Sequence, residues 1–103
     1  MKKEEVVTLI KKIELLLEKG KENKTIQFWK KFLSERREKL EQGSNPHERA
    51  AILKEIKNAI PGGMGSMHEL ALSPKDGSDL SYTELNADYA KLVHQLFEEL
   101  KKN

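Results

Sequence analysis

Cysteine is absent from this chain of 103 residues. That excludes a disulfide scaffold, a cysteine nucleophile and a thiolate zinc site, and it fits a reducing cytosol. Long apolar runs are missing too. No stretch approaches the roughly 20 apolar residues that a membrane span requires. The run from Val6 to Ile10 is cut by Lys11-Lys12 before a secretory apolar segment can form. The expectation is a soluble, cytoplasmic protein. Glycine is scarce, six in all, yet three of the six, Gly62, Gly63 and Gly65, fall within four positions. Glycine carries a high backbone-entropy cost and permits positive φ and close backbone approach. Its concentration there marks either a demanding turn between helices or a backbone that lies against something.

What is present is charge in periodic order. The chain is 37% hydrophobic and 35% charged, a balance that suits a small helical bundle with its charge on solvent faces. A single domain spanning 1–103 is large enough to bury roughly 60–70% of its unfolded surface without a metal or disulfide. The net charge of +2 hides a gradient: residues 1–60 carry fifteen Lys/Arg against ten Asp/Glu, and residues 61–103 four lysines against seven acids. A nucleic-acid binder usually shows a stronger excess on one face.

Val6, Leu9, Ile10, Ile13, Leu16 and Leu17 recur at helical spacing in a first helix over 4–19, with Gly20 as its stop. Asn23 or Thr25 caps a second helix, whose stripe is Ile26, Trp29, Phe32 or Leu33, Arg36 and Leu40, ending at Gly43. Asn45-Pro46 opens a third, a capping residue followed by proline at the first helical position. Ala50, Ile52, Leu53, Ile56, Ala59 and Ile60 line its inner face, and Pro61-Gly62 stops it. Ser66 with Glu69 fits a capping box, so a short helical turn through Met67 to Ala71 is expected between the third and fourth helices. Ser73 to Ser78 reads as a turn-rich linker around Asp76-Gly77. The competing reading is a hairpin that uses Leu70-Ala71-Leu72 as a strand, for which Leu80-Ser81-Tyr82 is too short a partner. Ser81 and Glu84 cap a last helix with Leu85, Tyr89, Leu92, Val93, Leu96, Phe97 and Leu100 on one face. Four helices of about 14 to 20 residues joined mostly by short loops predict an all-α, small antiparallel four-helix bundle with a glycine-rich loop.

The glycine-rich segment precedes a helix start whose free N–H groups could attract an anion or nucleotide. It lacks the third glycine of a dinucleotide fingerprint, the Gly-Lys-Ser/Thr of a P-loop and a preceding strand, so a helix-to-helix turn is the stronger reading. Ser66, His68 and Glu69 suggest a hydrolase, but neighbours in sequence rarely reach triad geometry and no nucleophile elbow is present. No catalytic residue is assigned, and no cofactor. His47, His68 and His94 lack the local spacing of metal ligands, so no metal site is assigned.

The second helix interleaves Lys24, Lys30, Lys31, Arg36, Arg37 and Lys39 with Phe28 and Trp29, a pattern that can bind nucleic acid. Lys31–Glu35, Glu35–Lys39 and Arg37–Glu41 are spaced as ion pairs of a solvated helix face, which blunts a phosphate-binding stripe. Phe28 and Trp29 stand about 100° apart on a helix, so the core need not accept both. One of them left partly exposed would anchor an interface; both packing under the 61–80 loop is the alternative.

Trp29 in a second helix, then Gly62-Gly63-Met64-Gly65-Ser66-Met67-His68-Glu69-Leu70-Ala71-Leu72, then an amphipathic last helix, resembles a family of small uncharacterised bacterial helical proteins. That family's pattern is G-G-M-G-S, an apolar residue, Asn, an acid and Leu-hydrophobic-Leu. Met67 takes the apolar place, and His68 stands where the family has Asn. The resemblance covers about a dozen residues, implies a bacterial origin and carries no activity. The sequence therefore leads to a non-enzymatic protein-interaction module, by analogy an immunity or regulatory partner protein. Its expected contact surface is Phe28, Trp29, Gly62, Gly63, Met64, Gly65, Ser66, Met67, His68 and Glu69. A nucleic-acid-associated regulator using the basic second helix is the alternative, and anion or nucleotide binding at the glycines the third.

Overall fold

Asparagine and serine set the helix starts. In the computed structural model, which describes residues 3–43, 45–60, 70–77, 79 and 81–101, the helices are α1 (Lys3–Lys19), α2 (Lys24–Glu41), α3 (Pro46–Ala59) and α4 (Tyr82–Lys101). The Asn23 side chain accepts the Ile26 N–H at 2.8 Å, and Asn45 accepts that of Glu48 at 2.8 Å. Each satisfies a donor that the helix itself leaves unpaired. Pro46 follows Asn45 where its missing N–H costs nothing. Ser81 Oγ accepts the Glu84 N–H at 3.1 Å and starts α4. Gly43, at φ +83°, ends α2, a conformation open to glycine at little cost.

The helices pack as a bundle. α1 lies against both α4 and α2, and α3 bridges α2 and α4. Val6, Ile10, Ile13 and Leu17 of α1 meet Ile26, Trp29, Leu33 and Leu40 of α2, Ile52, Leu53 and Ile56 of α3, and Leu85, Tyr89, Val93 and Leu96 of α4 in one core. Burying a side chain of this size contributes about 1.5–3 kcal/mol. The choice between Phe32 and Leu33 resolves toward Leu33, fully buried, with Phe32 half-buried against the core. Two expected core positions differ. Arg36 lies half-buried with its guanidinium over the Phe32 ring, 4.0 Å from the centroid. Ala50 is exposed.

The segment 70–77 crosses the end of the bundle as a strap. Leu72 is fully buried in the core. The Asn86 side chain on α4 holds its backbone on both sides: Leu72 N–H donates to Asn86 Oδ1 at 2.7 Å, and Asn86 Nδ2 donates to Leu72 O at 2.6 Å. The next residues dock on the α1–α2 connection, with Lys21 N–H donating to Ser73 O at 2.6 Å and an isolated antiparallel bridge between Gly20 and Pro74. Gly20 follows the last residue of α1, as expected of its stop, though its φ is not positive. A Cβ there would already stand 3.5 Å from the Leu72 side chain. The expected helical turn through Met67 to Ala71 is described only at Leu70 and Ala71, and both are irregular. Asn86 takes up the Leu72 N–H and C=O that a helix would need. The hairpin reading finds no strand among the described residues, only the Gly20–Pro74 bridge. The Asp76-Gly77 turn forms as expected, with Gly77 at φ +82°.

Candidate functional site

Helix α2 presents its aromatic pair in two different environments. Trp29 is buried at 6% exposure, and Phe28, next to it, is 58% exposed. The 100° step between them turns Trp29 toward the core and leaves Phe28 at the surface. Phe28 is nonetheless held in place. Its ring meets Trp29 edge-on at a centroid distance of 5.0 Å and stacks on Phe32 at 6.3 Å, while Trp29 and Phe32 meet edge-on at 5.3 Å. Arg36 closes the row over Phe32 and reaches α3 through Glu55 at 3.2 Å. The result is a three-ring cluster, buried at Trp29 and open at Phe28. The reading in which both aromatics pack beneath the 61–80 loop is corrected by that exposure.

Of the site residues expected from the sequence, Phe28 and Trp29 are therefore adjacent and in ring contact. Gly62, Gly63, Met64, Gly65, Ser66, Met67, His68 and Glu69 lie outside the described residues.

Three of the six cations of α2, Lys30, Arg36 and Arg37, are engaged with acids. Arg37 donates through Nε to Glu14 at 2.6 Å and through Nη1 to Glu41 at 2.6 Å, and Lys11 reaches the other oxygen of Glu41 at 3.2 Å. Lys30 pairs with Glu22 at 3.3 Å. Among the three pairs expected from spacing, Arg37–Glu41 forms; Glu35 instead lies 3.5 Å from Arg36. The Glu14 carboxylate, then Glu41, raises the Arg37 pKa further above its ordinary value. Arg37, then Lys11, holds the Glu41 carboxyl below its ordinary 4.5. A depressed folded-state pKa stabilises the fold fully above the unfolded value, and that contribution is lost as pH falls through the folded one. Stability should therefore decline in acid below about pH 4.5, and Glu41→Gln should flatten that part of the profile. Denaturant midpoints of both proteins measured down the acid limb check this; parallel slopes would remove Glu41 from the account.

Other titratable groups offer little chemistry. His47 is exposed in the first turn of α3, and His94 is exposed on α4, 3.8 Å from Glu98. Among the described residues no three His, Asp or Glu side chains converge in a way that could hold a metal ion. Burial raises the Tyr89 hydroxyl above its ordinary range, so it stays protonated at neutral pH. No helix among the described residues is long and apolar enough to cross a membrane.

The sequence reading passed over Asn86, which fixes the strap that follows the glycine-rich segment. The available signal was weak: an amide, a poor helix former, at the edge of an otherwise regular amphipathic stripe. No family model, no curated protein and no solved structure matches this chain.

Proposed function

We propose that this chain is a non-enzymatic, cytoplasmic protein-interaction module whose contact surface centres on Phe28. The observation that carries the reading is a phenyl ring 58% exposed yet locked onto two other rings. Isolated exposed apolar residues are ordinary. A ring whose position is already set by stacking loses little freedom on binding, and aromatic anchors dominate interface energetics. Lys24 and Lys31, both exposed, stand four residues before and three after Phe28 and so share its face. The partner this fits is a protein with an apolar pocket and an acidic rim.

In this reading the helices form an antiparallel bundle, supported by the register in which Lys11 meets Glu41 and Glu14 meets Arg37. Glu55, which Arg36 contacts, lies one turn before the end of α3; the glycine-rich segment joins the proposed contact surface on its sequence alone. The resemblance of that segment to a bacterial family, and the analogy with immunity and regulatory partner proteins, make a bacterial partner-binding role the specific form of the proposal. The nucleic-acid alternative is weakened by the commitment of Lys30, Arg36 and Arg37 to carboxylates.

Phe28→Ala separates recognition from folding. It removes two ring contacts, each worth at most about 0.5–1.5 kcal/mol, and gains about 0.5 kcal/mol of helix propensity, so the melting temperature should fall by far less than for a buried aromatic and the helical fold should persist. Affinity purification with the wild-type chain as bait should recover a stoichiometric protein that the Phe28→Ala bait loses, and Met67→Ala should weaken the same capture. Equal recovery by both baits, or no partner at all, would overturn the reading. A mobility shift with DNA or RNA at low salt would transfer it to the nucleic-acid alternative.

A further inference from the structure

We propose that the groove between α3 and the end of α4 binds a medium-chain alkyl carboxylate, with its head on Lys54 and Lys57 and its tail over Ala50 and Leu53. The groove lies on the side of α3 that meets α4, and nothing in it depends on the role assigned to Phe28. It holds about 480 Å³, within the range of small-molecule sites. Pro46, Ala50, Leu53, Lys54 and Lys57 of α3 line it, together with Leu100 of α4. These α3 positions recur three or four residues apart, so they form one stripe along the helix. Ala50 matters through its small size. It is exposed, and it leaves open the middle of a stripe that a larger side chain would fill.

The charged groups along the groove are of one sign. No acid lines it. The acids of α3 bond elsewhere, Glu48 with Asn45 at 2.9 Å and Glu55 with Arg36 at 3.2 Å, while Glu98 and Glu99 of α4 line a different groove, against α1. Arg49 lines the α3 groove too but already has an interaction, so the open charge is that of the two lysines. Lys54 is exposed and Lys57 half-buried, and neither has an ion pair or hydrogen bond among the described residues. Three residues apart, they are neighbours on the helix face, and their ammonium groups can close on one carboxylate from two sides. The half-buried setting of Lys57 keeps part of the water away and strengthens that attraction. The methylene stems of both lysines extend the apolar surface offered by Ala50, Leu53 and Leu100.

The dimensions select the tail. From Pro46 to Asn58 the groove follows α3 for about 18 Å. A volume of about 480 Å³ spread over that length leaves a cross-section of about 27 Å², or a channel about 6 Å across. A partner helix, about 10–12 Å in diameter, is too wide for it. A single polymethylene chain is not. One side of such a tail stays in water, so binding is modest, with a dissociation constant on the order of 0.1 mM.

Titration of the full, isotope-labelled chain with decanoate, followed through its amide chemical shifts, tests this. The expected result is a saturable change confined to residues 49–58 and the end of α4 around Leu100. Decanol, with the same tail and no charge, should bind about tenfold more weakly. Octanoate should bind about fourfold more weakly or worse, because two methylenes of apolar contact are gone. A chain carrying Lys54→Gln and Lys57→Gln should hold decanoate no better than decanol, with its affinity for decanol unchanged. Ala50→Leu, at an exposed position where leucine suits a helix nearly as well, should keep the melting temperature and weaken both ligands by about tenfold. Phe28→Ala should bind decanoate as the wild type does. An absent or unsaturable change, changes scattered over the other helices, equal affinity for decanoate and decanol, or decanoate binding untouched by the lysine substitutions or by Ala50→Leu would overturn the proposal.

Discussion

Replacing Trp29 with alanine should cost about 3–5 kcal/mol, the range for truncating a buried large aromatic. Trp29 is only 6% exposed and holds both Phe28 and Phe32 through edge-on contacts, so the loss includes ring contacts as well as buried area. A domain of this length has a total stability of roughly 5–15 kcal/mol. The substitution therefore removes a large share of it and should lower the melting temperature by at least about 12 °C. The contrast with Phe28→Ala is the sharper statement. Neighbouring aromatics on one helix should differ several-fold in their effect on stability, because one indole lies in the core and one phenyl ring lies on top of it. Thermal melts of the two variants side by side decide this; similar shifts would mean that Phe28 is part of the core in solution.

Asn86→Ala should have the next largest effect, about 2–3 kcal/mol. The amide makes three hydrogen bonds, to Leu72 N–H at 2.7 Å, to Leu72 O at 2.6 Å and to Tyr82 O at 2.8 Å. Its removal leaves the donor and acceptor of a fully buried residue without their partner, each at about 1–3 kcal/mol. The half-buried setting of the bonds places the sum toward the lower end, and alanine returns about 0.5 kcal/mol in helix propensity. Hydrogen exchange gives the specific signature. The amides of Leu72 and Lys21, the latter bonded to Ser73 O, should lose protection while those of α1 keep theirs. Asn86→Asp keeps an acceptor for the Leu72 N–H but sets a carboxylate against the Leu72 carbonyl, so it should not rescue. Unchanged protection at Leu72 would show that Leu72 burial alone holds the strap.

These two residues show where the reading of the sequence stops. Trp29 was legible as one of two aromatics competing for the core, because an angular step of 100° follows from helix geometry alone. Asn86 was not legible as a clamp, since its partner lies 14 residues earlier in an irregular segment and no local pattern links an amide to a distant backbone. The same division runs through the charges. Arg37–Glu41 could be foreseen from its spacing of four residues. The shorter of Arg37's bonds to Glu14, at 2.6 Å, spans 23 residues and exists only because α2 packs on α1.

By itself, then, the sequence determined the helices. Asn23, Asn45-Pro46 and Ser81 start them through bonds that reach three residues ahead, and the apolar stripes of α1 and α4 select the buried faces. Such interactions are local, so their pattern is written in consecutive residues. Only the packing of helix on helix decided which of Phe28 and Trp29 faces solvent, that Asn86 clamps the backbone of Leu72, and that Arg37 meets Glu14. Each depends on how one helix lies against another, and helical periodicity specifies a buried face without specifying what that face will meet.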